Sequence, residues 1–363
     1  MKNVFGNNIT LTLFGESHGQ CIGAVLDGLA SGIEVNEEFI KHQLTLRRPA
    51  GAISTARSEA DPFSIVSGVV DGKTTGTPIC IIIENENKKS RDYGKIDGIA
   101  RPGHADYAAF CKYNGYEDRR GGGHFSGRIT AAVVAACAIV IYALAKKGIN
   151  IGTHIRECGG VADRSFENLN EDIKLLNNKV FAVLSDEQGE KMQEKILKAK
   201  DNLDSVGGIL ETAITGMPSG VGEPWFDTVE GLLSYALFSI PAVKGVEFGA
   251  GFAFADMFGS EANDCFKIKD GEIVTDTNNN GGINGGITNG MPVTFSCVVK
   301  PTPSISKKQQ TVDFENNREV DIEIQGRHDP CIVHRARVVV DSITAFTLAD
   351  LLVGRFGTDW LRG

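Results

Sequence analysis

Between residues 131 and 145 the chain reads AAVVAACAIVIYALA, without a single charged side chain. A helix that is apolar on all sides has to be buried. The run is rich in small Ala and falls short of the roughly 20 residues that span a bilayer, so it reads as a buried helix. Thr130 opens it, and Lys146 and Lys147 end it with cations suited to a helix C-terminus. The residues directly in front are of the opposite kind. RRGGGHFSGR (119–128) combines glycine with Arg and His, and glycines before a helix start resemble a phosphate cradle at a helix N-terminus.

The same mixture recurs. Of 7 His residues, those at 18, 104, 124, 328 and 334 lie in or next to GESHG, RPGHAD, RRGGGHFSGR and GRHDPC. The chain holds 43 Gly among 363 residues, against an average of about 7%. Backbone without a Cβ can approach a flat ring or a phosphate closely. Arg supplies bidentate contacts to carboxylate or phosphate, and His supplies a proton near neutral pH. Each motif alone reads equally well as a turn; the functional argument lies in their co-occurrence. There is no GxxxxGK[ST], no GxGxxG after a strand, no HExxH and no GxSxG elbow.

The formal net charge of −9 repels nucleic acid and anionic membrane, so neither is an expected partner, and binding an anion requires local Arg clusters. An apolar share of 42% with 23% charged residues is enough for a core and excludes disorder, collagen and coiled coil. The 8 Cys include no CxxC pair and no Cys/His spacing suited to zinc, so no metal is expected. Free thiols in a reducing compartment fit best. The N-terminus lacks the pattern of a signal peptide, and a cytoplasmic location is expected.

Along the chain, NITLTLF (8–14) and CIGAVLD (21–27) are strand-like runs joined by GESHGQ. Asn36 caps a helical stripe that Pro49 closes, placing Arg47 and Arg48 at its exit. FSIVSGVV and TPICIIIE read as strands. Residues 88–127 show little periodic apolar pattern, and a stretch of that length without elements is usually functional. INIGTHIR (149–156) reads as a strand, 163–205 as exposed polar helices, and 225–238 as a helix. PVTFSCVVKP reads as a strand and VVVDSITAFTLADLLVGRFG as a last strand and helix. The expectation is one α+β domain over 1–363. It would be built from two similar layers, about 1–160 and 205–363, with the polar segment 163–205 between them.

FGESHG (14–19), RRP (47–49), RPGHADY (101–107), RRGGG (119–123), AVKGVEFG (242–249), GGINGGITNG (281–290), KPTPS (300–304) and GRHDPC (326–331) resemble the successive motifs of chorismate synthases, in the family's order. The match runs from about residue 5 to residue 357. It implies a β-α-β sandwich with two antiparallel-sheet layers, assembled as a homotetramer. It also implies conversion of 5-enolpyruvylshikimate 3-phosphate into chorismate and phosphate, an anti 1,4-elimination that needs reduced FMN without net redox change.

By this resemblance His18 protonates the departing phosphate, His104 sits by the reduced flavin, and Asp329 relays the C6 proton with flavin N5. Ser17, Arg47, Arg48, Arg101 and Arg128 are the candidates for binding substrate or NADPH, with Arg327 as a further cation. FMN contacts fall on His124, Phe125, Ser126, Pro241, Ala242, Gly285, Lys300, Pro301, Thr302, Pro303, Ser304 and Arg327. Many members read GGG-Arg-Ser-Ser-Ala-Arg where this chain has GGG-His124-Phe125-Ser126-Gly127-Arg128, and Pro241 stands where an Asn is often found. NADPH enters as a candidate reductant of the flavin, and no reductase domain is visible, so a separate flavin reductase is the expected partner. Two other readings of the Gly/Arg loops stay open at this level. One is a flavin oxidoreductase using NADPH; the other is an anion-binding module, against which His18, His104 and Asp329 argue.

Overall fold

The computed structural model describes residues 2–49, 51–54, 60–85, 98–324 and 329–362. Two five-stranded antiparallel sheets enclose a layer of helices. The first sheet has the order β1-β2-β3-β7-β4, from Val4–Phe5 (β1), Thr10–Gly15 (β2), Cys21–Asp27 (β3), Phe63–Ser67 (β4) and Ile79–Glu84 (β7); Val69–Val70 (β5) and Lys73–Thr74 (β6) form a separate small hairpin. The second has the order β11-β16-β10-β8-β9, from Asn150–Cys158 (β8), Val161–Ala162 (β9), Gly208–Thr215 (β10), Val243–Phe248 (β11) and Val293–Val299 (β16). Further hairpins are Phe266–Lys269 (β12) with Glu272–Thr275 (β13), Ile283–Asn284 (β14) with Ile287–Thr288 (β15), and Gln309–Asp313 (β17) with Arg318–Ile322 (β18). β8, which precedes residue 160 in the chain, pairs into the second sheet.

The helices are Glu37–Arg47 (α1), Asp106–Tyr113 (α2), Thr130–Lys146 (α3), Leu169–Leu176 (α4), Asp186–Asp201 (α5), Val229–Leu237 (α6), Gly259–Ala262 (α7) and Val333–Phe356 (α8). α3 and α8 form the middle layer: they pack on each other, α3 against β3 and β7 and α8 against β8 and β10. In β7 Ile79, Ile81 and Ile83 are buried while the residues between them are less so, the alternation of a sheet with one face on the core. α3 buries Ala131–Val140 without interruption. Together with the 3₁₀ turn before it, the helical run Gly127–Lys146 reaches 20 residues, long and apolar enough by composition to cross a membrane, yet most of it is buried inside the fold. The sequence reading, which counted only from Ala131, made it shorter than that.

Three segments differ from the sequence reading. VVV at 338–340 belongs to α8 and not to a strand. Burial between two sheets overrides the β-preference of valine, and several polar residues of this helix bond within it. Ser342 and Thr347 donate to the carbonyls of Val338 and Ile343 at 2.7 and 2.8 Å, and Arg337 pairs with Asp341 at 3.0 Å. α2 lies within the stretch read as lacking elements; it buries only Ala109, so it leaves almost no periodic signal. The helices of 163–205 are exposed on one side only. α4 covers the outer face of β8, and Ile173, Leu176, Met192 and Ile196 are buried.

Candidate active site

One cleft of about 1380 Å³ opens beside the middle layer. Its walls come from loops that leave β2, α1 and β16 and from the turns that lead into α3 and α8.

β2 ends at Gly15 and β3 begins at Cys21, so Ser17 and His18 sit on the connection between paired strands. Both are buried. The backbone N–H of Ser17 donates to the carbonyl of Gly123 at 3.1 Å, and Ser17 Oγ lies 3.2 Å from the carbonyls of Arg120 and Gly121. Ser17 Oγ is also 3.1 Å from His18 Nδ1. A hydroxyl that gives its one proton to a carbonyl must accept from Nδ1–H, which leaves Nε2 as the nitrogen that gains and releases a proton. At the far side of the loop Asn85 donates to the carbonyls of Glu16 and Gly19 at 2.9 and 3.1 Å.

The glycine run leans directly on this histidine. Gly121 has φ of +60°, and a Cβ built there would lie 2.1 Å from His18 Cε1. Any side chain at 121 would have to displace the ring or the loop. His124, at the end of the run, is 2.8 Å through Nδ1 from the carbonyl of Gly15. Phe125 is partly exposed and meets Tyr113 edge-on at 6.1 Å. Ser126 accepts the backbone N–H of Arg128 at 3.2 Å and so caps the turn that leads into α3.

The cationic wall is built from pairs. Asn36 accepts the N–H of Phe39 at 3.0 Å and starts α1, whose last residue is Arg47. Arg47 donates to Asp61 Oδ2 at 2.7 Å, while Arg128 pairs with Asp61 Oδ1 and reaches Asn85 Oδ1 at 3.1 Å. Arg48 donates to the carbonyl of Ala60. Arg335 pairs with Asp329 and donates through Nε to the carbonyl of Arg47 at 3.0 Å. Burial on its own would raise the Asp61 carboxyl, but Arg47 and Arg128 outweigh it and hold it below the usual carboxylate range. Burial, with the charges of Arg335 and Arg128, pulls the Arg47 guanidinium below its ordinary value in spite of Asp61.

Opposite lies the second histidine. His104 Nε2 is 2.7 Å from Ser304 Oγ, and Lys300 Nζ donates to the carbonyl of Gly103 at 2.6 Å. The backbone of Lys300 donates to the carbonyl of Ala242 at 3.0 Å, which joins the 300–304 loop to the bend at Pro241 and Ala242. Thr302 Oγ1 is buried without a hydrogen-bond partner among the described residues. Arg101 grips Asp106 through Nε and a terminal nitrogen at 2.8 and 2.7 Å. Burial raises the Asp106 carboxyl, and the Arg101 hydrogen bonds and charge more than reverse this.

The cleft thus collects Ser17, His18, Arg47, Arg48, Arg101, His104 and Arg128, with His124, Phe125, Ser126, Pro241, Ala242, Lys300, Thr302, Pro303, Ser304 and Asp329. Pro301 and Gly285 are not among its lining residues; Gly285 is exposed on the turn between β14 and β15. Arg327 and His328 lie outside the described residues. Asp61, Asn85 and Arg335 were not singled out from sequence. Asp61 ends the plain small-residue loop AGAISTARSEAD, where nothing marks it. Arg335 could have been found as the cation six residues beyond Asp329 at a helix start.

The family model described as chorismate synthase matches residues 9–353. The chain belongs to the chorismate synthase family. It is 47% identical over 350 residues to the chorismate synthase of Pyrococcus abyssi, covering 96% of this chain and 97% of that one. It is 46% identical over 349 residues to that of Korarchaeum cryptofilum, covering 96% of each. A crystal structure of a chorismate synthase superposes with a TM-score of 0.78 at 29% identity, over 98% of this chain and 95% of that one. As a member of the chorismate synthase family the chain is an enzyme, a lyase of aromatic biosynthesis, with a small molecule as substrate.

Proposed function

We propose that the chain converts 5-enolpyruvylshikimate 3-phosphate into chorismate and phosphate by anti 1,4-elimination, with reduced FMN present and no net change in redox state. The observation that carries this reading is the gathering of His18, His104, Asp329 and a set of guanidinium groups around a single cleft in a chain of net charge −9. The substrate bears two carboxylates and a phosphate, and a protein of this charge can hold it only where cations are concentrated.

Arg47, Arg48 and Arg128 bind and orient the anionic groups. His18, protonated at Nε2, gives that proton to the phosphate oxygen as the C3–O bond breaks; an acid with a pKa near that of the leaving phosphate suits the step. Asp329 takes up the proton that leaves C6, with its carboxylate held by Arg335. Buried apolar lining such as Ile129, Val133 and Val339 keeps water from the reacting ring.

The residues fit a flavin. The cleft is larger than the substrate alone requires. Thr302 Oγ1 is a buried hydroxyl with no partner among the described residues, in the same loop as Lys300 and Ser304, the partner of His104. His124–Ser126, Pro241, Ala242, Lys300 and Thr302–Ser304 would hold the group, and when bound it supplies electron density to the reacting ring. NADPH serves as the distant reductant through a separate flavin reductase. Exposed Trp225, Phe226, Phe252 and Phe258 support self-association, which we read as the homotetramer, in the cytoplasm.

The test is anaerobic turnover with dithionite-reduced FMN and the enolpyruvyl phosphate. Chorismate absorbance and free phosphate rise together on this reading; neither product in the presence of reduced flavin overturns it.

A further inference from the structure

We propose that Asp61 is a positioning residue that sets the spacing and direction of Arg47 and Arg128 for an anionic group of the substrate. For the identity of that anion the proposal rests on the elimination reading; the geometry stands without it.

Three separate segments meet at this carboxylate. Arg47 is the last residue of α1, Arg128 belongs to the turn before α3, and Asp61 sits in the loop ahead of β4. The side chain of Asp61 is wholly buried and each oxygen serves one guanidinium, Oδ2 for Arg47 and Oδ1 for Arg128. Its backbone has φ of +49°, a left-handed conformation that costs energy in a residue other than glycine and persists only where the surroundings enforce it.

The charges explain why a carboxylate is needed there. Two guanidinium groups held this close repel, and burial makes that repulsion stronger. Asp61 lets both remain charged and fixed while cancelling only one of the two charges. The Arg335–Asp329 pair beside it is neutral, and Arg48, bonded to the carbonyl of Ala60 next door, adds a further positive charge. Nε of both Arg47 and Arg48 is buried without a hydrogen-bond partner among the described residues. The result is a preorganised pocket wall of fixed guanidinium groups, suited to phosphate or carboxylate.

Positioning and simple charge make opposite forecasts for Asp61→Asn. Removing a negative charge from a cationic site should, by charge alone, tighten anion binding. Loss of positioning should weaken it, because an amide can accept from one guanidinium but turns its NH₂ toward the other.

The experiment measures KM and kcat for the enolpyruvyl phosphate in wild type, Asp61→Asn and Asp61→Glu, and the rise in melting temperature that inorganic phosphate gives each protein. The proposal expects KM up about tenfold to a hundredfold in Asp61→Asn, the size of a lost charge-assisted contact, with a smaller loss in kcat. It expects an intermediate KM in Asp61→Glu, and a weaker phosphate shift in Asp61→Asn than in wild type. An unchanged or lowered KM overturns it. If Asp61→Asn does not fold, Asp61→Glu carries the test, and an unchanged KM there overturns the proposal equally. If wild type makes no chorismate, the elimination reading fails separately and the phosphate shifts decide; equal shifts, or none in wild type, overturn the role of Asp61.

Discussion

Gly121 presses its Cα against the imidazole of His18, so that a single added methyl carbon would come within 2.1 Å of the ring. The glycine run is therefore shaped around a histidine, and Ser17 stitches the two together through the carbonyls of Arg120 and Gly121.

Gly121→Ala should lower kcat by about a hundredfold, the cost of displacing an acid by roughly an ångström. Since the clash is at the cleft and not in the core, the melting temperature should fall by only a few degrees. Steady-state kinetics beside a thermal melt check this; near-normal kcat would show that the ring has room to move.

Ser304→Ala removes the partner 2.7 Å from His104 Nε2. Turnover should fall about tenfold to a hundredfold while the fold is retained, and the pH–rate profile should change shape because the imidazole has lost the group that fixes its tautomer. A profile that keeps its shape and merely scales would remove Ser304 from this role.

Away from the cleft, His154 is buried between Asp163 Oδ2 at 2.9 Å and Glu211 Oε2 at 2.8 Å. Burial lowers the imidazole pKa, but hydrogen bonds and charges of the two carboxylates outweigh it and leave the value above the ordinary 6.5. A group raised on folding stabilises fully below its unfolded pKa, and that contribution is lost as pH climbs through the folded value. The stability difference between wild type and His154→Gln in urea should therefore be largest below about pH 6.5 and shrink in alkaline buffer. Asp163 behaves in the opposite sense. Burial raises it, and His154 with the N–H groups of Leu184 and Ser185 brings it below 3.8. Its share is thus lost only in strong acid. A difference that does not vary between neutral and alkaline pH would contradict the assignment.

Much of the architecture could be read from local pattern, because it rests on local rules. The alternation in ICIIIE, the Asn36 cap and the all-apolar stretch of α3 each report a burial face directly. The valines of α8 misled, since strand preference is a local quantity and the helix is decided by what lies on both sides of it. At the site, motifs carried His18, His104 and Asp329 because glycine, arginine and histidine occur there in unusual company. Asp61 and Asn85 carry no such mark. Their roles arise from folding, which brings residue 61 against 47 and 128, and residue 85 against the 16–19 turn. Arg101, expected for substrate, lines the cleft, and folding also pairs it with Asp106.

The central claim is elimination without net redox change, and the most direct measurement follows the flavin spectrum while product forms. With a catalytic amount of reduced FMN under argon, chorismate and phosphate should accumulate in equal amounts over many turnovers while the flavin stays reduced. Oxidation of one flavin per product, or hydride passing from NADPH to flavin with no phosphate released, would contradict it.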